Sequence, residues 1–373
     1  MVPSVPTDPH GLLRHLFLFI AFVPLLSVHF FLVMTAYWMS KFEDPLSPDR
    51  RTHLQIHFTT YLSASFTPSV VVPLLNALVG HRYRTSPRLI TALCLLILLI
   101  SLHLALATLD TSTWQLPFLA ITLVTFFLIT ASIGVFMSGF TGLVGCFPPE
   151  YMLAVLRGQS LTGVFCAVTN IIVLLLGCDA TLVALFCFSL TIILHIGTLL
   201  AFIYASSTRF FHHHATSPPP SACEATPLLA PTSPPTSSLR QLAWRIRVEF
   251  ATILLTSLVT MAAFPGLTVL VESVHLHTEA AAAWERTYFV PVSCFLTFYL
   301  GDFTGRLVMP LLPSISSTTA LAAAILRLLA LPTILLCNLA PHHRVLTPVL
   351  IHSDLAYIFI MLLFSLSTGF LTW

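Results

Sequence analysis

Residues 291–306 read PVSCFLTFYLGDFTGR, a hydrophobic helix that carries an acid and a base one turn apart. Asp302 and Arg306 stand at i and i+4, so both side chains leave the same face. On insertion scales, one ionised residue at the centre of a membrane helix costs about 2.5–3.5 kcal/mol. A chain keeps two of them there when they pair, face the bundle interior or line a solute path. Phe295 and Phe298 precede them on that face. It reads aromatic, aromatic, acid, base, a set suited to gripping a flat, hydrogen-bonding solute.

The rest of the chain agrees that this helix lies in a membrane. Of its 373 residues 57% are hydrophobic and 8% charged, with a mean hydropathy of +0.93. A soluble domain carries about 25% charged residues. The composition therefore predicts an all-α polytopic membrane protein, with the lipid bilayer as its surroundings. A net charge of +2 is too small to point to nucleic acid. Lys41 is the only lysine, so no lysine-rich surface is available for phosphate. The eight cysteines lie mostly in or beside apolar runs, where cysteine behaves as a small hydrophobe. No CxxC or Cys/His cluster occurs, so no zinc site, disulfide framework or cofactor is expected. His212, His213 and His214 form a tract in a polar loop, read as solvated or as an adventitious metal binder.

Apolar segments long enough to cross a core of about 30 Å fall at 13–38, 54–79, 88–107, 114–139, 158–178, 180–205, 246–271, 286–311, 317–339 and 347–373. That predicts ten transmembrane helices. The first is too long for a signal-peptide core and lacks a small-residue cleavage site, so it counts as a helix. With the N-terminus in the cytosol, that side holds Arg14, Arg82, Arg84, Arg88, Arg157, Arg209, Arg240, Arg245 and Arg247. The opposite side holds Lys41, Arg50, Arg51, Arg286 and Arg344. The excess of arginine favours this orientation. Residues 206–245, rich in Pro, Ser and Thr, are expected to form a disordered cytosolic loop. The loop separates an N-terminal bundle of six helices, 1–205, from a C-terminal bundle of four, 246–373. No N-x-S/T sequon occurs. The last segment runs into Trp373 without a polar flank, so the chain reads as clipped.

Several polar residues stand inside these segments. Gly134, Ser138 and Gly142 make a flat face that a neighbouring helix can approach. Pro148 and Pro149 break the chain before the next helix. There Gln159, Gly163 and Ala167 share a face, and a buried Gln must find partners, from a neighbouring helix or from a solute. In the first segment His29 can titrate near neutral pH or bond to a neighbouring helix. Leu25, Val28 and Leu32 lie beside it and can shape an apolar pocket. Arg327 sits mid-helix and calls for a partner, a fixed ion pair or a clamp of carbonyls. Asp354 is near an interface and is expected to be wet. In the loop, Glu224, Leu228 and Leu229 fit an acidic dileucine pattern that sorting adaptors could read. There is no GxSxG, HExxH, P-loop or dinucleotide fingerprint, so the chain is not expected to be an enzyme.

These residues resemble a known family. PVSCFLTFYLGDFTGR is similar to the eighth helix of the equilibrative nucleoside transporters (solute carrier family 29), with its Asp, three residues, then Arg, and Gly before the Arg. Trp284–Arg286 (WER), Phe264-Pro265, PPEYMLAVLRGQSLTG, LRLLALPTILLCNLAPHHR and STGFL resemble further family segments, in order and at matching spacing. The resemblance implies an eleven-helix, six-plus-five fold of major-facilitator-like architecture, with a central cavity for nucleosides and, in some members, nucleobases. It implies facilitative transport by alternating access, coupled to protons in some relatives. Carried over by motif, the substrate-binding residues become Leu25, Leu32, Phe66 (anchored by Pro68 and Leu75-Asn76), Gln159, Phe295, Asp302 and Arg306. Three departures stand out. Val28-His29 replaces the family's Trp-Asn, Tyr299 replaces an Asn, and the eleventh helix is expected to be missing, since the tenth stops at Trp373. His29 and Asp302 are then the candidate proton-coupling groups. The competing readings are a proton-coupled nucleoside or nucleobase carrier and a truncated, non-transporting relative. The plasma membrane is the expected location, with the endosomal or lysosomal membrane as the alternative if the dileucine pattern is read.

Overall fold

The first helix, α1, spans Leu12–Val33 and carries Pro24 inside it. It stops because Met34 leaves helical geometry, and a short α2, Thr35–Lys41, follows at once. The Trp38 indole donates to the Phe31 carbonyl at 2.8 Å, which satisfies an acceptor at the end of α1 and fixes the bend. The protein is described by a computed structural model covering residues 8–44, 52–216, 241, 244–276, 278, 282–311, 315–339 and 348–372.

Proline and capping residues divide the second segment in two. Thr52 and Gln55 form a reciprocal capping box that starts α3, His53–Ala64. Pro68 then opens α4, Pro68–Val79, at a position where its missing N–H costs nothing. Next come α5 (Thr85–Ala107), α6 (Gln115–Val144), α7 (Pro149–Leu175), α8 (Ala180–Ser207) and α9 (Arg209–Thr216). The short α9 contains the three-histidine tract. Beyond it, Glu224, Leu228 and Leu229 lie outside the described residues.

In the second half, α10 spans Arg247–Ala263. Residues Trp284–Tyr288 and Val290–Leu296 form π-helical turns, and α11 follows over Thr297–Val308. Pro291 cannot donate, so the ordinary ladder is interrupted there. The Thr297 hydroxyl reaches back five residues to the Val292 carbonyl at 2.9 Å. The remaining helices are α12 (Ser317–Leu326), α13 (Ala330–Leu335) and α14 (Asp354–Leu371).

Among the described residues, eight helices are long and apolar enough to cross a membrane. The segments expected at 54–79 and 286–311 are instead composite, one broken at Pro68 and one partly π-helical. Among the described residues the only β contact is an isolated bridge between Val271 and Leu339. The chain is an integral, multi-pass membrane protein.

Packing places α1 at the centre of the first half, against α7 and α8, while α5 lies between α6 and α8. The Gly134–Ser138 face of α6 receives α4: Val72 lies over Gly134, and the Asn76 amide donates to the Ser138 hydroxyl at 2.7 Å. In the second half α11 packs on α14 and reaches across to α7. Arg327 is buried between α12 and α13. It donates to the carbonyls of Thr256 (3.1 Å) and Phe364 (3.3 Å) and to the Thr368 hydroxyl, and it lies over the Phe364 ring. Its partners are two carbonyls, a hydroxyl and an aromatic face, the carbonyl clamp rather than the ion pair. Asp354 is tied in rather than wet: Ser273 donates to it at 2.6 Å and the Val274 amide at 3.0 Å.

Candidate functional site

The site is built where α11 meets α7, α1 and α14. Arg306 donates in a fork to Asp302, Nε to Oδ2 at 3.1 Å and Nη2 to Oδ1 at 3.3 Å. The i, i+4 spacing brings this about within one helix. The Asp302 side chain is 14% exposed and the Arg306 side chain 18%. The pair is thus sheltered but not sealed, and the guanidinium keeps unused donors.

The backbone beneath the pair is held by close helix contact. A side chain at Gly369 of α14 would run into the Asp302 carbonyl and the Arg306 amide. α14 therefore lies directly on the α11 main chain at these residues.

Across from α11, α7 carries Gln159 one turn before Gly163. Gln159 is half-buried, and its amide takes no hydrogen bond among the described residues. It offers both a donor and an acceptor. The ring of Tyr299 lies on Gly163, in the space a Cβ there would need. Tyr299 is 5% exposed and its hydroxyl has no hydrogen-bond partner among the described residues. Such a group is costly to bury.

His29 of α1 stands edge-on to the Tyr299 ring, with centroids 4.9 Å apart. Its Nδ1 lies 2.7 Å from the Leu25 carbonyl oxygen. A carbonyl can only accept, so Nδ1 carries the proton and Nε2 remains the acceptor of the neutral ring. Leu25 thus contributes its carbonyl to orienting His29, and its side chain is half-buried.

The aromatic residues close around this point. Phe264 stacks on Phe298 with centroids 3.8 Å apart and meets Phe295 edge-on at 5.7 Å. Phe295 is 1% exposed, packed into this cluster. Leu32 is buried and lines a crevice of about 10 Å³ with Trp38, Phe58, Leu62, Pro265 and Val269. That is room for about one water, so the bundle is closed at this level. Phe66 lies apart from these contacts, with its ring 5.7 Å from Phe126 of α6.

The structure therefore brings Asp302 to Arg306, Leu25 to His29, and Phe295 to Phe264. Two contributions were not apparent in the sequence: the seating of Tyr299 on Gly163, and the support of the pair by Gly369. The smooth Gln159–Gly163 face was the available signal for the first. Gly369 had none beyond its place in STGFL. Among the described residues no group of His, Cys, Asp and Glu is arranged to hold a metal ion.

Comparison with known proteins supplies the context. A family model described as Nucleoside transporter matches residues 121–373. The chain is 28% identical over 350 residues to equilibrative nucleoside transporter 1 of Homo sapiens, covering 87% of this chain and 75% of the relative. It is 27% identical over 372 residues to equilibrative nucleoside transporter 3 of Rattus norvegicus, covering 93% and 77%. It is 25% identical over 414 residues to equilibrative nucleoside transporter 2 of Mus musculus, covering 99% and 89%.

Proposed function

This chain belongs to the nucleoside transporter family, and from that premise we propose that it carries nucleosides across a membrane by facilitated diffusion with alternating access. The observation that supports this reading at the site is the sheltered fork of Arg306 on Asp302. In the proposal Arg306 turns its unused donors to the ribose hydroxyls while Asp302 keeps it oriented. Gln159 bonds the edge of the base through its free amide. Phe295, Leu25 and Leu32 supply the apolar surround, and Phe66 lines the approach. Residues 1–205 and 246–373 act as the two halves of a major-facilitator-like bundle. The composite segments at 54–79 and 286–311 complete ten crossings. Nucleobases are a second substrate class, and the plasma membrane is the proposed location, with the endosomal or lysosomal membrane as alternative.

The test is uptake of radiolabelled uridine and adenosine in cells lacking their own transporters, with the wild-type chain and with Arg306→Ala. Saturable uptake, lost in the variant while surface expression persists, is the expected result. Absence of uptake from a wild-type chain shown to reach the membrane overturns the proposal in favour of a non-transporting role. A variant that fails to fold would make the pair structural.

The contact between His29 and Tyr299, one turn from Asp302, favours one second reading, coupling to protons through His29 or Asp302. Uptake between about pH 5.5 and 8, with and without an uncoupler, separates the two. Uptake that is flat with pH and indifferent to the uncoupler removes coupling.

A further inference from the structure

A second charged site stands at the arginine-rich end of the bundle, away from the Asp302–Arg306 pair. Between the first turns of α1 and α7 lies a cavity of about 340 Å³ lined by Arg14, His15 and Leu18 and by Glu150, Leu153 and Arg157. Arg14 pairs with Glu150 at 3.5 Å, and both side chains are about half exposed. Such a pair adds little by itself. The Arg157 guanidinium has no hydrogen bond or ion pair among the described residues. The His15 Nδ1 is committed to the Gly11 carbonyl at 2.8 Å, which leaves Nε2 for the cavity. The lining thus carries two guanidiniums and one carboxylate; Asp8 stands beside it, held by the Arg14 amide and the Tyr151 hydroxyl, and Arg157 is the guanidinium left without a partner among the described residues.

What lies beside these charges is apolar. From Arg157, the same side of α7 continues through Leu161, Val168, Ile172 and Leu175, all exposed large hydrophobic residues. On a helical wheel they fall within about a quarter turn of Arg157. Gln159 and Gly163 fall on a different side, turned to the second half. A cationic cavity at the helix ends, floored by Leu18 and Leu153 and continued by an exposed aliphatic stripe, matches one class of molecule. It has an anionic head and long hydrocarbon tails.

We propose that this cavity holds the phosphate of an anionic phospholipid of the arginine-side leaflet, with an acyl chain along the Leu161–Leu175 stripe. Arg157 supplies the free charge, and Arg14 joins it as Glu150 lets go. Basic pockets between membrane helices on the cytoplasmic side are suited to such head groups. The bound lipid would brace α1 against α7, the two helices that carry His29 and Gln159.

The test uses the purified full chain in neutral detergent, titrated with phosphatidylserine or phosphatidylcholine, with retained lipid read by mass spectrometry. One arginine near a charged membrane surface is worth about 1 kcal/mol, about a fivefold preference. Wild type should retain phosphatidylserine about fivefold better than phosphatidylcholine. Arg157→Gln should bring the ratio close to one, while Arg247→Gln, stacked on Trp244 outside the cavity, should leave it unchanged. A melting temperature of Arg157→Gln equal to wild type without added lipid establishes that the variant is folded. If it is not, Arg14→Gln reads the same cavity. Equal retention of the two lipids by wild type, or a preference that survives removal of the cavity arginines, overturns the proposal. Complete displacement of phosphatidylserine by inorganic phosphate also overturns it and makes this a site for free phosphate.

Discussion

The ring of Tyr299 occupies the space that a side chain at Gly163 would need. One residue belongs to the second half of the molecule and the other to the first. The joint between halves is thus an aromatic ring laid on bare backbone, with His29 standing against its edge.

Gly163→Leu should therefore separate the halves. Overpacking of this kind costs about 1–3 kcal/mol, visible as a lower melting temperature, and uptake should fall with it. Pairing it with Tyr299→Ala should recover most of the lost stability. A double variant no better than Gly163→Leu alone would mean that the two side chains do not compete for this space.

Tyr299→Phe removes a buried hydroxyl that has no partner among the described residues. Leaving such a group unsatisfied costs about 1–3 kcal/mol, so the empty protein should melt at the same or a higher temperature. If the hydroxyl bonds the solute, the KM for uridine should rise while the amount of protein at the surface stays constant. An unchanged KM would give the ring a purely steric role.

Gly369→Ala should act on Asp302 and Arg306 without touching either side chain. The added methyl meets the main chain at both residues, so α14 must withdraw from α11. The expected result is a loss of uptake as deep as that of Arg306→Ala, in a protein that still folds. Normal uptake would show that the pair tolerates movement of its support.

Arg327→Lys keeps the charge and loses the fork. The guanidinium serves the Thr256 and Phe364 carbonyls and the Thr368 hydroxyl together, which one ammonium cannot match in geometry. Each lost bond to a charged group is worth about 1.5–3 kcal/mol. Thermal melting should drop accordingly, and uptake should fall through less protein at the surface, with KM unchanged. A raised KM at normal stability would instead move Arg327 into the solute path.

The parts of the architecture readable from sequence are those set by local rules. The spacing of Asp302 and Arg306 forces them onto one helical face, so their pairing is legible. The eight apolar crossings among the described residues follow from length and hydropathy alone. Arg327 announced its need for partners, but Thr256 and Phe364 lie far away in sequence and carry no local sign of the contact. Asp354 looked interfacial because its neighbours are polar, yet Ser273 and the Val274 amide reach it from just beyond α10, about 80 residues earlier in the chain. Phe295 shows the same limit. A residue on the face of Asp302 can line an opening or fill a core, and the position of Phe264 decides which.

The π-helical turns before Asp302 have a geometric consequence. A widened turn changes the angular heading of everything downstream of it, so the azimuth of the charged pair depends on the π-helical turns before it, with Pro291 about three turns earlier. Restoring ordinary pitch there would rotate Asp302 and Arg306 out of their present heading with their own sequence intact. The bearing of the charged pair is thus encoded at a distance from its chemistry, and a change at Pro291 could silence the pair without altering it.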